Sequence, residues 1–151
     1  MISELTLNNF RCFNSLKIKL SPGVNFFYGK NASGKTSILE AIHLCSSGKS
    51  FKSSNLQSLI SLNKEAFNIK GYDNETGYTL SVTKEQTKSI RILLNNSKTT
   101  TSKLIREFPS TAIHNNTFSF ADASPDFRRK LLDRALFVSD SNFSELWFGY
   151  H

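Results

Sequence analysis

The stretch YGKNASGKTSILEAI, residues 28–42, combines residue types and a spacing that suit phosphate chemistry. Gly29 is followed by four residues and then by Gly34-Lys35-Thr36, which fits the phosphate-loop pattern G-x-x-x-x-G-K-[ST]. In such a loop the backbone N–H groups face the β-phosphate, the lysine reaches the β- and γ-phosphates, and the next hydroxyl binds Mg²⁺. The motif therefore predicts a nucleotide site that uses Mg²⁺.

The predicted nucleotide-binding residues form one continuous segment. Its two glycines let the backbone approach a ligand closely and adopt a positive φ. Thr36 is the predicted Mg²⁺ ligand, and Ser37 is placed to donate to an α-phosphate. The whole set comprises Gly29, Lys30, Asn31, Ala32, Ser33, Gly34, Lys35, Thr36 and Ser37. The alternative is a glycine turn that stands before a helix by chance.

The segments on either side of the motif predict a strand before it and a helix after it. VNFFYG, residues 24–29, is a short apolar run typical of a buried strand. After the motif, apolar residues recur at helical spacing at positions 38, 41, 42 and 45, and Ser47-Gly48 predicts the end of that helix. A loop between a strand and a helix is the setting in which this motif binds phosphate.

The rest of the chain predicts a single lobe, residues 1–151, of mixed α/β class. Alternating apolar residues predict strands at 2–10 and 15–20, and a set of antiparallel strands from about 66 to 98. The run STAIH at 110–114 is a candidate for one more strand.

Three further helices are predicted. Residues 99–107 become briefly helical before Pro109 stops them. Ser124-Pro125-Asp126 has the residue types of a helix start, and this helix runs from about 125 to 137. A last helical stretch is predicted at 140–150.

Charge and cysteine usage narrow the class of protein. The net charge is +7, from 19 Lys and Arg against 12 Asp and Glu, and a basic surface favours polyanions such as nucleic acid. Cys12 and Cys45 lack metal-ligand spacing and are too few for a disulfide scaffold. Because the sequence has no long apolar run and no signal peptide, we expect a cytoplasmic protein without a membrane span.

The sequence lacks recognisable residues for hydrolysis. An ATPase needs a carboxylate at the end of a hydrophobic strand to hold the metal and position water. None of the twelve acidic residues follows such a strand: Asp73 lies in a predicted turn, and Asp133 and Asp140 lie in or beside a helix. We therefore assign no catalytic residue and do not expect this chain alone to hydrolyse ATP.

Three segments carry a family resemblance. They are LTLNNFRCFNSLKIKLSPGVNFFYGKNASGKTSILEAI, SSGKSFKSSNLQSLI and SPDFRRKLLDRALF. Together they resemble the N-terminal part of the RecF family, bacterial recombination mediators with an SMC-like, ABC-type ATPase head. The first segment is shared with other SMC-like and OLD-type ATPases, and the other two favour RecF. The resemblance covers nearly the whole chain and is weakest over 61–110.

The resemblance implies a fold and a function. The fold is a P-loop NTPase, lobe I of an ABC-type head with an antiparallel β subregion, whose signature and Walker B segments lie in a further part of the protein. The function is that of an ATP-binding DNA replication and recombinational-repair protein that takes part in the SOS response. ATP and Mg²⁺ are its cofactors, and it forms an ATP-dependent homodimer with weak ATPase activity. The dimer binds single-stranded, gapped or junction DNA and assists recombinase loading with RecR and RecO.

Two departures from the family pattern bear on the site. RecF proteins usually have glycine after the asparagine of the loop, whereas Ala32 follows Asn31 here. Alanine fits that position only if its φ is negative or the strain is small. The second departure is IHNNTF, residues 113–118, which lacks the acidic pair that the family has before the Arg-Arg helix.

Five basic residues outside the loop are further candidates. The resemblance implies that Arg11 lies beside the nucleotide, and a solvated turn arginine is the alternative. The nucleic-acid candidates are Lys49, Lys52, Arg128 and Arg129. The two lysines flank an aromatic residue in a serine-rich loop, which suits contact with a nucleic-acid backbone, although a plain solvated loop fits equally well. The two arginines face DNA or pair with neighbouring aspartates along their helix.

Two other functions remain open at the level of the sequence. One is the ATPase lobe of an OLD-type nuclease, which an acidic metal-binding domain further along the protein would favour. The other is a nucleotide-binding module that contacts protein partners but no DNA.

Overall fold

The computed structural model describes residues 1–113, 124–140 and 143. The chain divides into two compact units, Met1–Ser110 and Thr111–His151, and each is described by itself. The first unit contains a six-stranded sheet in the order β2-β1-β3-β4-β5-β6. Its strands are β1 (Glu4–Phe10), β2 (Phe13–Lys19), β3 (Ala66–Tyr72), β4 (Thr79–Glu85), β5 (Arg91–Leu94) and β6 (Ser97–Lys98).

All neighbouring strands in this sheet are antiparallel, which confirms the strands predicted near both ends of the unit. Side chains alternate between the two faces of a strand, so residues that oppose each other in the register share a face. The register places Leu7 opposite Ile69 and Ile69 opposite Val82, and all three are completely buried. The residues that alternate with these along each strand lie on the opposite face of the sheet and are mostly polar. The alternating pattern thus determined which face of the sheet is buried.

Helix α1 (Lys35–Ser47) packs on the apolar face of the sheet. Its Ala41, Leu44 and Cys45 are completely buried there. Burial in this apolar setting raises the pKa of the Cys45 thiol to about 12. The helix ends as predicted, because Gly48 adopts a left-handed φ of 66° and donates its N–H to the Leu44 carbonyl at 2.9 Å.

Three shorter features complete the description. A 3₁₀ turn spans Leu56–Leu59, and helix α2 (Thr101–Glu107) ends just before Pro109, as predicted. In the second unit, helix α3 (Pro125–Ser139) begins at the predicted proline and continues two residues beyond Phe137. No helix within the described ranges is long and apolar enough to cross a membrane.

The prediction of a buried strand at 24–29 was wrong. These residues form no strand, and the side chains of Val24, Phe26 and Tyr28 are 75, 86 and 94% exposed. A strand is held by hydrogen bonds to a neighbour, and no strand of the described sheet pairs with this segment. The apolar run is therefore an irregular segment that leads from β2 into the loop.

Residues 110–113 form no strand, so the described part of STAIH does not behave as predicted, and His114 lies outside the described residues. The segment at 114–118 that differs from the family pattern also lies outside them. So does the predicted helix at 140–150, apart from Asp140 and Phe143.

Candidate nucleotide-binding site

The phosphate loop follows a backbone path that its glycines make possible. Gly29 and Gly34 have φ values of 145° and 93°, both unfavourable for residues with a side chain. At Gly34 there is also no space, because an added Cβ would lie 2.4 Å from Cζ of Phe13 and 2.8 Å from Sγ of Cys12. The β1–β2 hairpin therefore packs directly against the end of the loop, and only glycine fits there.

Ala32 adopts the left-handed conformation that the sequence analysis identified as unfavourable. Its φ is 63°, so the condition under which alanine would be free of strain is not met. A left-handed residue with a Cβ costs about 1–2 kcal/mol. The loop therefore holds strain at the position where RecF proteins usually have glycine.

Lys35 is held inside the loop by two backbone carbonyls. Its Nζ donates to the Gly29 carbonyl at 2.8 Å and to the Lys30 carbonyl at 2.7 Å. An ammonium group has three N–H donors, so these bonds leave it one more. They also draw the ends of the loop together around the charge.

The start of α1 provides donors without a competing cap. The Ile38 N–H donates to the Gly34 carbonyl at 3.0 Å, and no side chain caps the helix. The first-turn N–H groups of a helix have no partner within the helix and carry partial positive charge, which suits an anion. The loop and Lys35 converge on this helix end, so the residues present fit a polyphosphate.

Thr36 is the residue that the sequence predicts as a Mg²⁺ ligand. Thr36 is exposed at the start of α1. In the described part of the chain, no group of three or more His, Cys, Asp or Glu residues could hold a metal ion. Mg²⁺ commonly binds through one or two protein ligands together with substrate phosphates and water. The Thr36 hydroxyl fits that mode, in which the phosphates provide most of the charge.

The loop opens onto a cavity of about 590 Å³. Its walls contain most of the predicted site and several residues from distant parts of the sequence. They are Arg11, Cys12, Asn31, Ala32, Ser33, Gly34, Lys35, Thr36, Ser37, Lys52, Ser58 and Ile60. The tertiary structure thus brings two more cations, Arg11 and Lys52, to the cavity that Lys35 lines.

Arg11 lies at the tip of the β1–β2 hairpin and is not a simple solvated turn residue. Its backbone has a φ of 53°. A hydrogen bond from its N–H to the Leu59 carbonyl, 2.7 Å long, holds this conformation. Its Nε and Nη2 donate to the two carboxylate oxygens of Glu40 at 2.9 and 2.8 Å, and Nη1 donates to the Ser58 carbonyl at 3.2 Å. The guanidinium is thus anchored in the cavity wall.

Glu40 supports the site from behind Arg11, and sequence reasoning missed it. It is completely buried in α1, one helical turn before buried Leu44, and a charge on the apolar face of a helix was the available signal. Burial raises the pKa of the Glu40 carboxyl, but hydrogen bonds from Arg11 and Ser50 and the charges of Arg11 and Lys52 outweigh that effect. The pKa therefore lies below its ordinary value, and Glu40 is ionised at neutral pH.

Two of the nucleic-acid candidates, Lys49 and Lys52, belong to the first unit, and Arg128 and Arg129 belong to the second. Lys52 is exposed and lines the phosphate cavity, whereas exposed Lys49 is not among the residues of the cavity wall. In the second unit Arg128 is exposed, and Arg129 makes an exposed ion pair with Asp126 at 3.6 Å. Such a pair contributes little to stability.

Comparison with known proteins identifies relatives over almost the whole chain. A family model described as an AAA domain matches residues 4–146. RecF, the DNA replication and repair protein of Glaesserella parasuis serovar 5, is 34% identical over 149 residues, which cover 97% of this chain and 41% of that protein. RecF of Francisella tularensis subsp. mediasiatica is 35% identical over 97% of this chain and 42% of that protein. The chain thus spans about two fifths of the length of these relatives.

Solved structures show the same fold. The structure of the recombination mediator protein RecF-ATPrS in the RecFOR pathway has a TM-score of 0.80 and 29% identity, over 94% of this chain and 39% of that one. An SMC ATPase has a TM-score of 0.69 at 21% identity, over 89% of this chain and 98% of that one, which shows the fold alone. These matches confirm the predicted P-loop, ABC-type ATPase fold. The chain therefore belongs to the AAA domain family, and it is similar to the amino-terminal part of RecF proteins.

Proposed function

We propose that this chain is the nucleotide-binding lobe of an ATP-binding DNA replication and repair protein. The observation that carries the proposal is the convergence of the glycine loop, the N-terminus of α1 and Lys35 on one cavity. Relatives named RecF, including a structure described as RecF-ATP, support ATP as the nucleotide and DNA repair as the setting.

Each residue of the loop has a definite task in this proposal. The backbone N–H groups between Gly29 and Gly34 surround the β-phosphate, and the Lys35 ammonium neutralises the β- and γ-phosphates. The Thr36 hydroxyl would hold Mg²⁺, and Ser37 would donate to the α-phosphate. Arg11 faces the same cavity and adds a second fixed positive charge for the phosphates.

The proposal covers binding and not hydrolysis by the chain alone. The residues that line the described cavity include no Asp or Glu. Phosphoryl transfer to water also needs an oriented water molecule and charge stabilisation beyond that of a single lobe. We therefore infer that weak ATPase activity belongs to the longer protein as an ATP-dependent homodimer.

The wider role is proposed from the relatives and from charge. RecF relatives are named for DNA replication and repair, and RecF has been solved as part of the RecFOR pathway. The longer protein would bind single-stranded or gapped DNA in the cytoplasm, work with RecR and RecO in recombinase loading, and take part in the SOS response. The net charge of +7 supports contact with a DNA backbone, with Lys49, Lys52, Arg128 and Arg129 as candidates.

The test of nucleotide binding compares two lysines of the same loop. Lys35→Ala should weaken Mg·ATP binding about 10- to 100-fold, because a hydrogen bond to a charged group is worth about 1.5–3 kcal/mol. Lys30→Ala removes the same charge but leaves the carbonyl that Lys35 contacts, so its affinity should change by less than about threefold. Titration calorimetry gives both affinities, and thermal melts show that both variants fold. Equal affinities for the two variants would refute the proposed site.

DNA contact is measured separately, with a fluorescent 30-base single strand and a duplex of the same length. If contact is to the backbone, log K for the single strand falls by about 0.7 per phosphate neutralised for each tenfold rise in salt. Affinity without salt dependence would refute contact to the backbone, and a lack of binding to either probe would favour the alternative of a nucleotide-binding module that does not contact DNA.

A further inference from the structure

Glu40 lies outside the phosphate-loop motif and behind Arg11, whose side chain lines the cavity. It stands four residues after Thr36 on α1, and its side chain is only 1% exposed. Carboxylates are rarely buried to this degree unless they are paired and hydrogen-bonded. The buried charge of Glu40 must therefore be stabilised by hydrogen-bond partners.

Those partners form a closed ring of hydrogen bonds around Glu40. Arg11 donates twice to the carboxylate, and Ser50 Oγ donates to Glu40 Oε1. Ser50 Oγ accepts the Ser53 N–H at 2.9 Å, and the hydroxyls of Ser53 and Ser58 are 3.0 Å apart. The Ser58 carbonyl accepts from Arg11 and closes the ring. One buried carboxylate thus connects the hairpin tip, the helix of the phosphate loop and the serine-rich loop.

The ring leaves Arg11 with donors to spare. A guanidinium carries five N–H groups, and the contacts to Glu40 and Ser58 use one each on Nε, Nη1 and Nη2. The two that remain belong to a side chain that is 23% exposed and lines the phosphate cavity. The two parallel bonds to Glu40 fix the plane of the guanidinium, so its position does not depend on a ligand.

We propose that Glu40 is a positioning residue, which holds the Arg11 guanidinium in the cavity wall so that its remaining N–H groups meet the nucleotide phosphates. This inference rests on the proposed nucleotide site and adds a residue that its motif does not contain. An arginine without this partner would lose rotamer freedom each time it contacted a phosphate, and preorganisation removes that loss. Glu40 itself touches no nucleotide in this arrangement, so it acts only through Arg11.

A double-mutant cycle on Mg·ATP affinity tests whether Glu40 acts through Arg11. Glu40→Gln keeps the size of the side chain and removes its charge, and we expect it to raise Kd about tenfold. In an Arg11→Ala background the same change should alter Kd by less than about twofold. Glu4→Gln serves as the matched control, since it removes a carboxylate from a partly exposed ion pair with Lys17 on the sheet, and it should leave Kd unchanged.

Arg11→Lys keeps the cycle decisive if Glu40→Gln melts below the assay temperature. Lysine keeps the charge but cannot make two parallel bonds to a carboxylate, so Kd should rise nearly as far as in Arg11→Ala. Wild-type affinity in Arg11→Lys, or an equal effect of Glu40→Gln in both backgrounds, would overturn the inference. So would a wild-type Kd in folded Glu40→Gln. If Lys35→Ala also bound ATP normally, the proposed site itself would fail; binding that needs Lys35 but not Glu40 refutes this inference alone.

Discussion

The six-stranded sheet and the segment from 24 to 37 follow opposite rules in the same unit. In the sheet, alternating side chains, register and burial agree, and Leu5, Leu7 and Ile69 are completely buried. In the segment, Phe26 and Tyr28 are exposed, and Ala32 has a positive φ. Departures from local rules tend to collect where a protein binds or reacts, because selection there is for function and not for stability. The buried core of the sheet thus contributes the stability that offsets the strain and exposed apolar surface of the loop segment.

Arg11 and Glu40 connect these two regions. Arg11 belongs to the hairpin of the sheet, and Glu40 belongs to the helix that the loop begins. Their bidentate pair fixes the loop helix against the hairpin through charged groups and not through apolar packing alone. Substitutions in the sheet should therefore mainly lower the free energy of unfolding, and substitutions in the loop should mainly weaken Mg·ATP binding.

The largest effect is expected from the sheet core. Phe67 is completely buried and meets the Phe10 ring edge-on, with centroids 5.2 Å apart. Phe67→Ala should lower the free energy of unfolding by about 3–5 kcal/mol, because it removes apolar contact and leaves a cavity. Chemical denaturation measures the loss, with Lys35→Ala as the loop counterpart that should unfold close to wild type. A Lys35→Ala loss as large as that of Phe67→Ala would contradict the separation of roles.

A smaller effect of opposite sign is expected at the strained alanine. Ala32→Gly should raise the free energy of unfolding by up to about 1 kcal/mol, since glycine adopts a φ of 63° without strain. It should also tighten Mg·ATP binding slightly if the same conformation is the one that binds. Ala41→Gly, in the middle of α1, is the control and should destabilise by at least about 1 kcal/mol. Destabilisation by both changes would show that Ala32 is not strained.

The smallest effect is expected in the acid dependence of stability, which is compared between the carboxylates of Glu40 and Glu85. The pKa of Glu40 is lowered, so its contribution to stability is complete above the ordinary value of 4.5 and is lost as the pH falls through the lowered value. Urea unfolding from pH 7 to pH 3 should show a shallower loss of stability in Glu40→Gln than in wild type.

Glu85 on the sheet provides the control for that titration. Its hydrogen bond with Lys88 lowers the pKa of the carboxyl, but Lys88 is exposed and Glu85 is partly exposed, and solvent screens such a pair. Glu85→Gln should therefore follow the wild-type acid curve. If Glu40→Gln lost stability with falling pH as steeply as wild type, the hydrogen bonds to the Glu40 carboxylate would contribute nothing to stability.

Much of the fold could be predicted because its signals are local. Alternation located the strands, Gly48 and Pro109 marked where two helices end, and the motif spacing identified the loop. The strand predicted at 24–29 failed for a non-local reason, since an apolar run becomes a strand only where another strand pairs with it. The roles of Lys49, Lys52, Arg128 and Arg129 stay predictions.

By itself, the sequence determined the phosphate loop, the helix that follows it and the antiparallel strands, because spacing along the chain sets backbone donors and buried faces directly. Only the tertiary structure decided which cations share the cavity and which carboxylate holds Arg11. Arg11 and Glu40 are 29 residues apart, and Arg11 and Ser58 are 47 apart, so no local pattern relates them. They meet because the sheet's register places the hairpin tip against the loop helix, and burial there leaves a charge stable only when it is paired.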